Sequence, residues 1–207
     1  EQGDKMVTGH GADVDTLVFA GLINHVDGLI NAGTIEARGD VTVGLGADGG
    51  NAGLVFGGAV NQTYTDSGGL KTTGPVYVSK SAGVVTLATP MSYNAAGQDL
   101  DIQSGTLDMS GFNLTVNDIL SVSGTLFQGG GGLTAGMISI TPSGLWKNIS
   151  TGDVTLGAGG IVNDGVVKLD ANGPGCGADD ILIRSSSPGS VRSWNGSGFF
   201  LLRDVDV

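Results

Sequence analysis

The chain has 207 residues, of which 39 are glycine, 40% are hydrophobic and only 14% are charged, so its composition is that of a folded protein with many tight turns and excludes a disordered chain. Twenty acidic residues against nine basic ones give a formal net charge of −11, which disfavours nucleic acid and anionic membrane surfaces as partners. No apolar run approaches the roughly 18 to 20 residues that a membrane helix requires, so no membrane insertion is expected.

The first third of the chain predicts short strands at loose intervals. Apolar or alternating runs occupy 33–44, 52–58 and 74–87, with insertions expected at 44–53 and 61–74. Gly44, Gly46 and Gly49 fit the dinucleotide-binding pattern G-x-G-x-x-G, but the residues that follow have no helical period and offer no helix N-terminus to a pyrophosphate. We therefore expect a glycine turn here and no bound cofactor.

From residue 99 onward, the chain repeats itself. Ser-Gly-Thr-Leu occurs at 104–107 and again at 123–126, and apolar residues alternate with polar ones in groups of three short runs. Matching apolar positions recur every 19 to 21 residues: Leu100 and Leu120; Leu107, Leu126 and Leu145; Leu114, Leu133 and Val154. A period near twenty with three strands is typical of a coil that stacks on copies of itself.

These intervals predict an all-β fold, a right-handed parallel β-helix (β-solenoid) with about 20 residues and three short strands per coil. A β-sandwich or a β-barrel is the alternative, but their strands usually recur every 8 to 12 residues and are longer. About nine or ten coils would form a rod roughly 45 to 50 Å long at the usual strand spacing. The duplicated Ser-Gly-Thr-Leu is then one corner of the coil, seen in two consecutive turns.

The domain organisation follows from where the period holds. Residues 1–169 are expected to form the solenoid, with looser N-terminal coils to about 75 and regular coils over 76–169. Residues 170–207 are expected to form a glycine-rich junction and then strands that continue or cap the solenoid. The lone cysteine, Cys176, excludes an internal disulfide. Because the sequence begins at Glu1 without a signal segment, it is interpreted as a mature or excised piece.

A family resemblance rests on the run from Leu100 to Leu169 and on the closing segment 178–207, with its "ILIRSS…W…G…DVDV" ending. These residues resemble the β-strand-repeat proteins of the bacterial surface, and are similar to filamentous-haemagglutinin-like and autotransporter-passenger-like adhesins. The resemblance implies a right-handed parallel β-helix that is secreted, extracellular or on the cell surface, and mostly non-enzymatic.

Calcium is the metal that the sequence could bind. The pattern G-x-G-A-D occurs three times and places Asp13, Asp48 and Asp179 directly after glycine turns. Carbonyl groups beside a carboxylate can bind Ca²⁺, as in β-rolls built from tandem glycine and aspartate repeats. The three copies are not in tandem, so turns capped by aspartate are the simpler interpretation and calcium the alternative.

A carbohydrate-active β-helix, such as a polysaccharide lyase or hydrolase, is the alternative function. It would use outward carboxylates, for which Asp99, Asp101 and Asp108 are candidates, but no basic residue aligns with them on neighbouring coils. His10 and His25 lack the spacing of a zinc site. We therefore expect no enzyme.

The expected function is that of an extracellular structural module, with surface adhesion as its companion role. The apolar runs near both ends of the sequence, 14–23 and 199–207, are suited to pair as added strands, so the chain is predicted to associate end to end into a fibre or to form part of a larger surface protein. Outward aromatic residues could also bind surface glycans by stacking. The candidates are Tyr64, Tyr77, Tyr93, Phe127, Trp146 and Trp194.

Overall fold

The computed structural model describes residues 6–7, 16–171 and 180–207, in which every regular element is a β-strand. Short strands form because apolar and polar residues alternate over three to five positions before glycine or asparagine turns the chain. The strands are β1 (Met6–Val7), β2 (Thr16–Phe19), β3 (Ile23–His25), β4 (Ile30–Asn31), β5 (Thr34–Ala37), β6 (Val41–Val43), β7 (Asp48–Gly50), β8 (Gly53–Phe56), β9 (Gln62–Asp66), β10 (Leu70–Thr72), β11 (Val76–Leu87), β12 (Met91–Tyr93), β13 (Leu100–Asp108), β14 (Leu114–Val122), β15 (Thr125–Phe127), β16 (Leu133–Ile140), β17 (Leu145–Asn148), β18 (Val154–Asn163), β19 (Val166–Asp170), β20 (Ile181–Ser185), β21 (Trp194–Asn195), β22 (Phe199–Arg203) and β23 (Val205–Asp206).

The strands stack as a parallel β-solenoid with three faces, which confirms the predicted fold. Face A consists of β2, β5, β8, the first halves of β11 and β13, the second halves of β14, β16 and β18, and β21. Face B consists of β3, β6, β9, the second halves of β11 and β13, β15, β17, β19 and β22. Face C is continuous from β12 through the first halves of β14, β16 and β18 to β20 and β23, and is preceded by the separate pairs β1–β4 and β7–β10.

The core is a set of columns of inward side chains that run along the solenoid axis. One column on face A runs Leu17, Ile35, Leu54, Val76, Leu100, Leu120, Ile138, Ile161 and Trp194, one residue per coil. The described residues form about eight turns of roughly 22 residues. The predicted period of about 20 residues holds in regular coils such as the one from Leu100 to Leu120. The described turns are slightly fewer than the nine or ten coils expected, because corner loops lengthen several of them.

The duplicated tetrapeptide occupies one corner in consecutive coils, as predicted. Thr106 pairs with Thr125, and Leu107 pairs with Leu126. The next equivalent was assigned one residue too early, since Leu126 pairs with Trp146 and not with Leu145. Because side chains alternate across a strand, this single-residue difference places Trp146 in the core and turns Leu145 outward.

Glycine recurs at the corner between faces A and B because adjacent coils touch there. A Cβ on Gly144 would lie 2.0 Å from the Val122 carbonyl oxygen, and one on Gly165 would lie 2.5 Å from that of Gly144. Gly105 in the same column also has φ +77°. Close approach of the backbones, more than positive φ, is what requires glycine along this column.

Polar side chains buried at the corners hydrogen-bond to backbone carbonyl groups of their own or adjacent coils. Gln98 donates from Nε2 to the Thr72 carbonyl oxygen at 2.7 Å, and Gln128 donates to that of Gly152 at 2.9 Å. The buried indole N–H of Trp146 donates to Gln128 Oε1 at 3.1 Å. These bonds satisfy polar groups that the turns leave without strand partners.

Candidate functional site

The last described coil ends in an apolar strand edge. β22 pairs with β19 along one side, and several of its side chains are exposed, including Phe199 at 72%, Leu201 at 54% and Leu202 at 42%. Leu202 pairs with the buried Leu169 and therefore continues an inward column that no further strand of the described chain covers. This end has the features of a surface that another strand could cover.

The strands at this end are fixed by aromatic stacking and by hydrogen bonds. The rings of Trp194 and Phe200 stack with centroids 5.4 Å apart. Asp164 accepts hydrogen bonds from the backbone N–H and the hydroxyl of Ser197, both at 2.9 Å. These two bonds lower the pKa of the Asp164 carboxyl, the backbone N–H having the larger effect. The exposed edge is therefore held by ordered contacts to the preceding coil.

The first described coils also expose apolar side chains. Leu22 is 61% exposed, Val26 52% and Leu29 43%, and all three lie around the short strand β3. A depression of about 490 Å³ lies between them. Both ends of the described solenoid thus carry exposed apolar side chains. At each end these lie next to a strand, β3 or β22, that has a strand partner on only one of its two edges within the described chain.

The predicted calcium residues are not assembled into a site by the described residues. Asp13 and Asp179 lie outside the described ranges. Asp48 opens β7 with an exposed side chain, and its backbone N–H donates to the Gly28 carbonyl oxygen at 3.2 Å. Within residues 16–171 and 180–207, no group of three or more His, Cys, Asp or Glu side chains is placed to hold a metal ion. Calcium binding stays a prediction.

The carboxylates considered for catalysis are separated by the solenoid geometry. Asp101 lies on face A and Asp108 on face B, because β13 bends at Ser104 and Gly105. Asp99 accepts a hydrogen bond from the Ile119 N–H of the next coil at 3.0 Å, and Asp108 accepts one from Ser110 N–H at 2.8 Å. Each of these two carboxylates therefore caps backbone groups, which is a structural use.

Histidine and the glycine pattern also have local structural roles. His25 is buried, and its Nε2 lies 2.8 Å from the Gly28 carbonyl oxygen, whereas His10 lies outside the described ranges. Gly44 and Gly46 lie between β6 and β7, and Gly49 lies within β7. No helix follows them in the described chain. The expected turn is confirmed.

The aromatic candidates divide into core and surface residues. Tyr64, Tyr93 and Trp146 are at most 2% exposed, so these three candidates are core residues that cannot stack on a glycan. Tyr77, Phe127 and Trp194 are partly exposed and remain available for contacts. Alternation alone misplaced the buried rings because it does not reveal the register of each strand.

One pocket inside the first described coils is too small for an organic ligand. A cavity of about 30 Å³ lies among His25, Tyr64, Lys71 and Tyr93, which is room for about one or two water molecules. The buried hydroxyl of Tyr93 has no hydrogen-bond partner within the described chain. Burial raises the pKa of Tyr64 and of Tyr93 far above the ordinary value.

The sequence interpretation missed one charged feature on face B. Lys147 and Lys168 are direct partners in the β17–β19 ladder. Their separation of 21 residues equals one repeat period, which is the signal that would have placed them together.

Comparison with known proteins adds no family. No protein-family model matches the chain, and neither curated proteins nor solved structures include a significant match. The described residues contain no helix that is long and apolar enough to cross a membrane. The bacterial surface resemblance therefore stays a prediction.

Proposed function

We propose that this chain is an extracellular structural and adhesive module that associates end to end, either into a fibre or within a larger surface protein. The observation that supports this function is the distribution of exposed apolar side chains. Of the fifteen large apolar residues exposed on the described chain, thirteen fall within residues 17–70 or 191–207. The regular coils between them expose only Ile119 and Ile149 in this class.

Strand addition is the physical basis of the proposed contact. On face B, β22 of one copy would pair with β3 of the next, and on face A, β21 would pair with β2. Both pairings would extend existing parallel ladders, because each of these strands has a paired partner on its other side. Backbone hydrogen bonds and continued apolar columns are the forces that favour strand addition. Extracellular placement and adhesion rest on the resemblance in repeat style.

The test is the state of association of the chain as a function of concentration. Sedimentation velocity and negative-stain microscopy should show rods whose lengths are multiples of about 40 Å, the span of eight coils at the usual strand spacing. Leu202→Lys places a charge on the inward column at the open end, and we expect at least about tenfold weaker association because an unpaired charge is costly to bury.

Gln103→Lys is the matched control, since it adds the same charge to an exposed position on the side of a middle coil. It should associate like the unmodified chain. Circular dichroism must show that both variants retain the strand content of the parent. A monomer at every accessible concentration, or equal effects of the two substitutions, would contradict the proposal.

The carbohydrate-active alternative gains no support from the placement of the carboxylates. Asp101 and Asp108 lie on different faces, and Asp99 and Asp108 cap backbone N–H groups. Screening for hydrolysis or elimination on neutral and acidic polysaccharides remains the direct test of that alternative.

A further inference from the structure

Face B carries a row of one aromatic and two cationic side chains on three consecutive coils. Phe127 on β15 pairs with Lys147 on β17, which pairs with Lys168 on β19. Successive members are therefore about 4.8 Å apart along the axis. The Lys147 ammonium lies 5.6 Å from the centre of the Phe127 ring, within the range of a cation–π contact. We call these three residues the lysine row.

Two lysines that face each other on neighbouring strands destabilise the fold unless another group neutralises their charge. Like charges opposite one another on a ladder destabilise the sheet. Neither Lys147 nor Lys168 forms an ion pair within the described chain, where the ion pairs involve Arg38, Lys71 and Arg203. Acidic residues outnumber basic ones twenty to nine, so the pairing of two lysines does not reflect a scarcity of acids.

The lysine row has apolar neighbours on one side. Leu145 and Val166 lie two residues before Lys147 and Lys168, on the same outward side, and pair directly with each other. Neither β15 nor β17 contains an acidic residue. On β13, Asp108 lies next to Phe127 on the side away from the lysines. On β19, Asp170 lies two residues beyond Lys168 on the same outward side, and its Oδ1 is 4.0 Å from Arg203 Nε. The row is thus a small cationic and apolar area on an acidic molecule.

The shape of the surface favours an extended ligand. The ladders from β13 through β15, β17 and β19 to β22 continue without a register shift, so equivalent side chains on face B stay aligned along this length. A strip with charges at the repeat spacing can contact successive units of a polymer. A single aromatic ring beside the charges offers a surface to the C–H face of a sugar.

We propose that the lysine row binds a carboxylated polysaccharide, with Lys147 and Lys168 pairing with carboxylate groups and Phe127 contacting a sugar ring. Two cations on a chain of net charge −11 suit a polymer with sparse carboxylates better than a phosphate backbone with its dense charge. A second copy of the chain is the weaker candidate, since carboxylates such as Asp99 and Asp164 already accept backbone hydrogen bonds. This inference goes beyond end-to-end association, because the row lies on the side of the solenoid.

The test measures binding of the whole chain to alginate, a polymer of uronic acids, in a calcium-free buffer by isothermal titration calorimetry. Dextran is the neutral comparison and duplex DNA the phosphate comparison. We expect salt-sensitive binding to alginate alone. The double variant Lys147→Gln/Lys168→Gln should bind at least about tenfold more weakly, since two charge-assisted contacts are lost.

The control Arg38→Gln/Arg184→Gln removes two exposed cations elsewhere and should change affinity less than about twofold, because exposed charges at a distance are screened. Leu202→Lys should bind alginate normally, which separates this proposal from end-to-end association. Absence of alginate binding, equal binding to DNA, equal loss in both double variants, or loss of self-association only in the lysine variant would each overturn the proposal.

Discussion

Replacing Gly144 by alanine tests whether contact between coils explains the glycine column. The added Cβ would lie 2.0 Å from the Val122 carbonyl oxygen and 2.9 Å from Ile140 Cγ2. Because real Cβ contacts essentially never fall under 3.0 Å, the two coils would have to separate locally by about 1 Å. That movement strains the hydrogen bond from Leu145 N–H to the Gly124 carbonyl oxygen, now 2.9 Å.

The expected cost follows from these contacts. Overpacking of a tight interior costs about 1 to 3 kcal/mol, and a weakened backbone hydrogen bond adds about 1 kcal/mol. The free energy of unfolding should therefore fall by about 2 to 4 kcal/mol, which for a chain of this size lowers Tm by about 4 to 16 °C.

Thermal melting followed by circular dichroism measures this change, with hydrogen exchange at residues 120–126 and 140–146 to locate it. Gly21→Ala is the matched control, because a Cβ there meets no atom within 4 Å and φ lies outside the left-handed range. It should shift stability by less than about 0.5 kcal/mol. If both substitutions have the same small effect, close contact of the coils does not explain the column.

Two further predictions test the register and the buried tyrosines. Trp146→Ala should lower the free energy of unfolding by about 3 to 5 kcal/mol, whereas Leu145→Ala should lower it by less than about 1 kcal/mol. Denaturant titrations measure both changes, and the reverse order would show that Leu145 is the inward residue. Burial is the largest cause that raises the pKa of Tyr64 and Tyr93 above the unfolded value of about 10. The stability that depends on the protonated form of these two residues is therefore present below pH 10 and is lost as the pH rises above 10. Tyrosinate absorbance from these two residues should therefore appear only together with unfolding, and its appearance in the folded chain would contradict their burial.

The fold was predictable because repetition and alternation are local properties. The spacing of Leu100 and Leu120, and of Leu114 and Leu133, identified residues that are true ladder partners. Alternation then divided inward from outward positions within each short strand. The same reasoning failed for Trp146, because an extra residue in a corner shifts every following side chain to the opposite face.

The candidate surfaces were only partly predictable. The apolar runs near both ends of the sequence predict association, which stays a prediction. Which of their side chains are exposed depends on strand pairing. The lysine row needed the register as well, since Lys147 and Lys168 become neighbours only when their coils are aligned. Their separation of one repeat period was visible in the sequence. Whether it makes the two lysines neighbours depends on the lengths of the corners between their strands.

The sequence by itself determined a stack of short parallel strands, since a hydrophobic period near twenty residues can be buried only when successive coils cover one another. The tertiary structure alone decided which residue of each coil faces inward at the irregular corners, where backbones touch at Gly144, and which charges meet on face B. The physical reason is that alternation fixes direction within a strand, whereas the length of each corner fixes the alignment between strands.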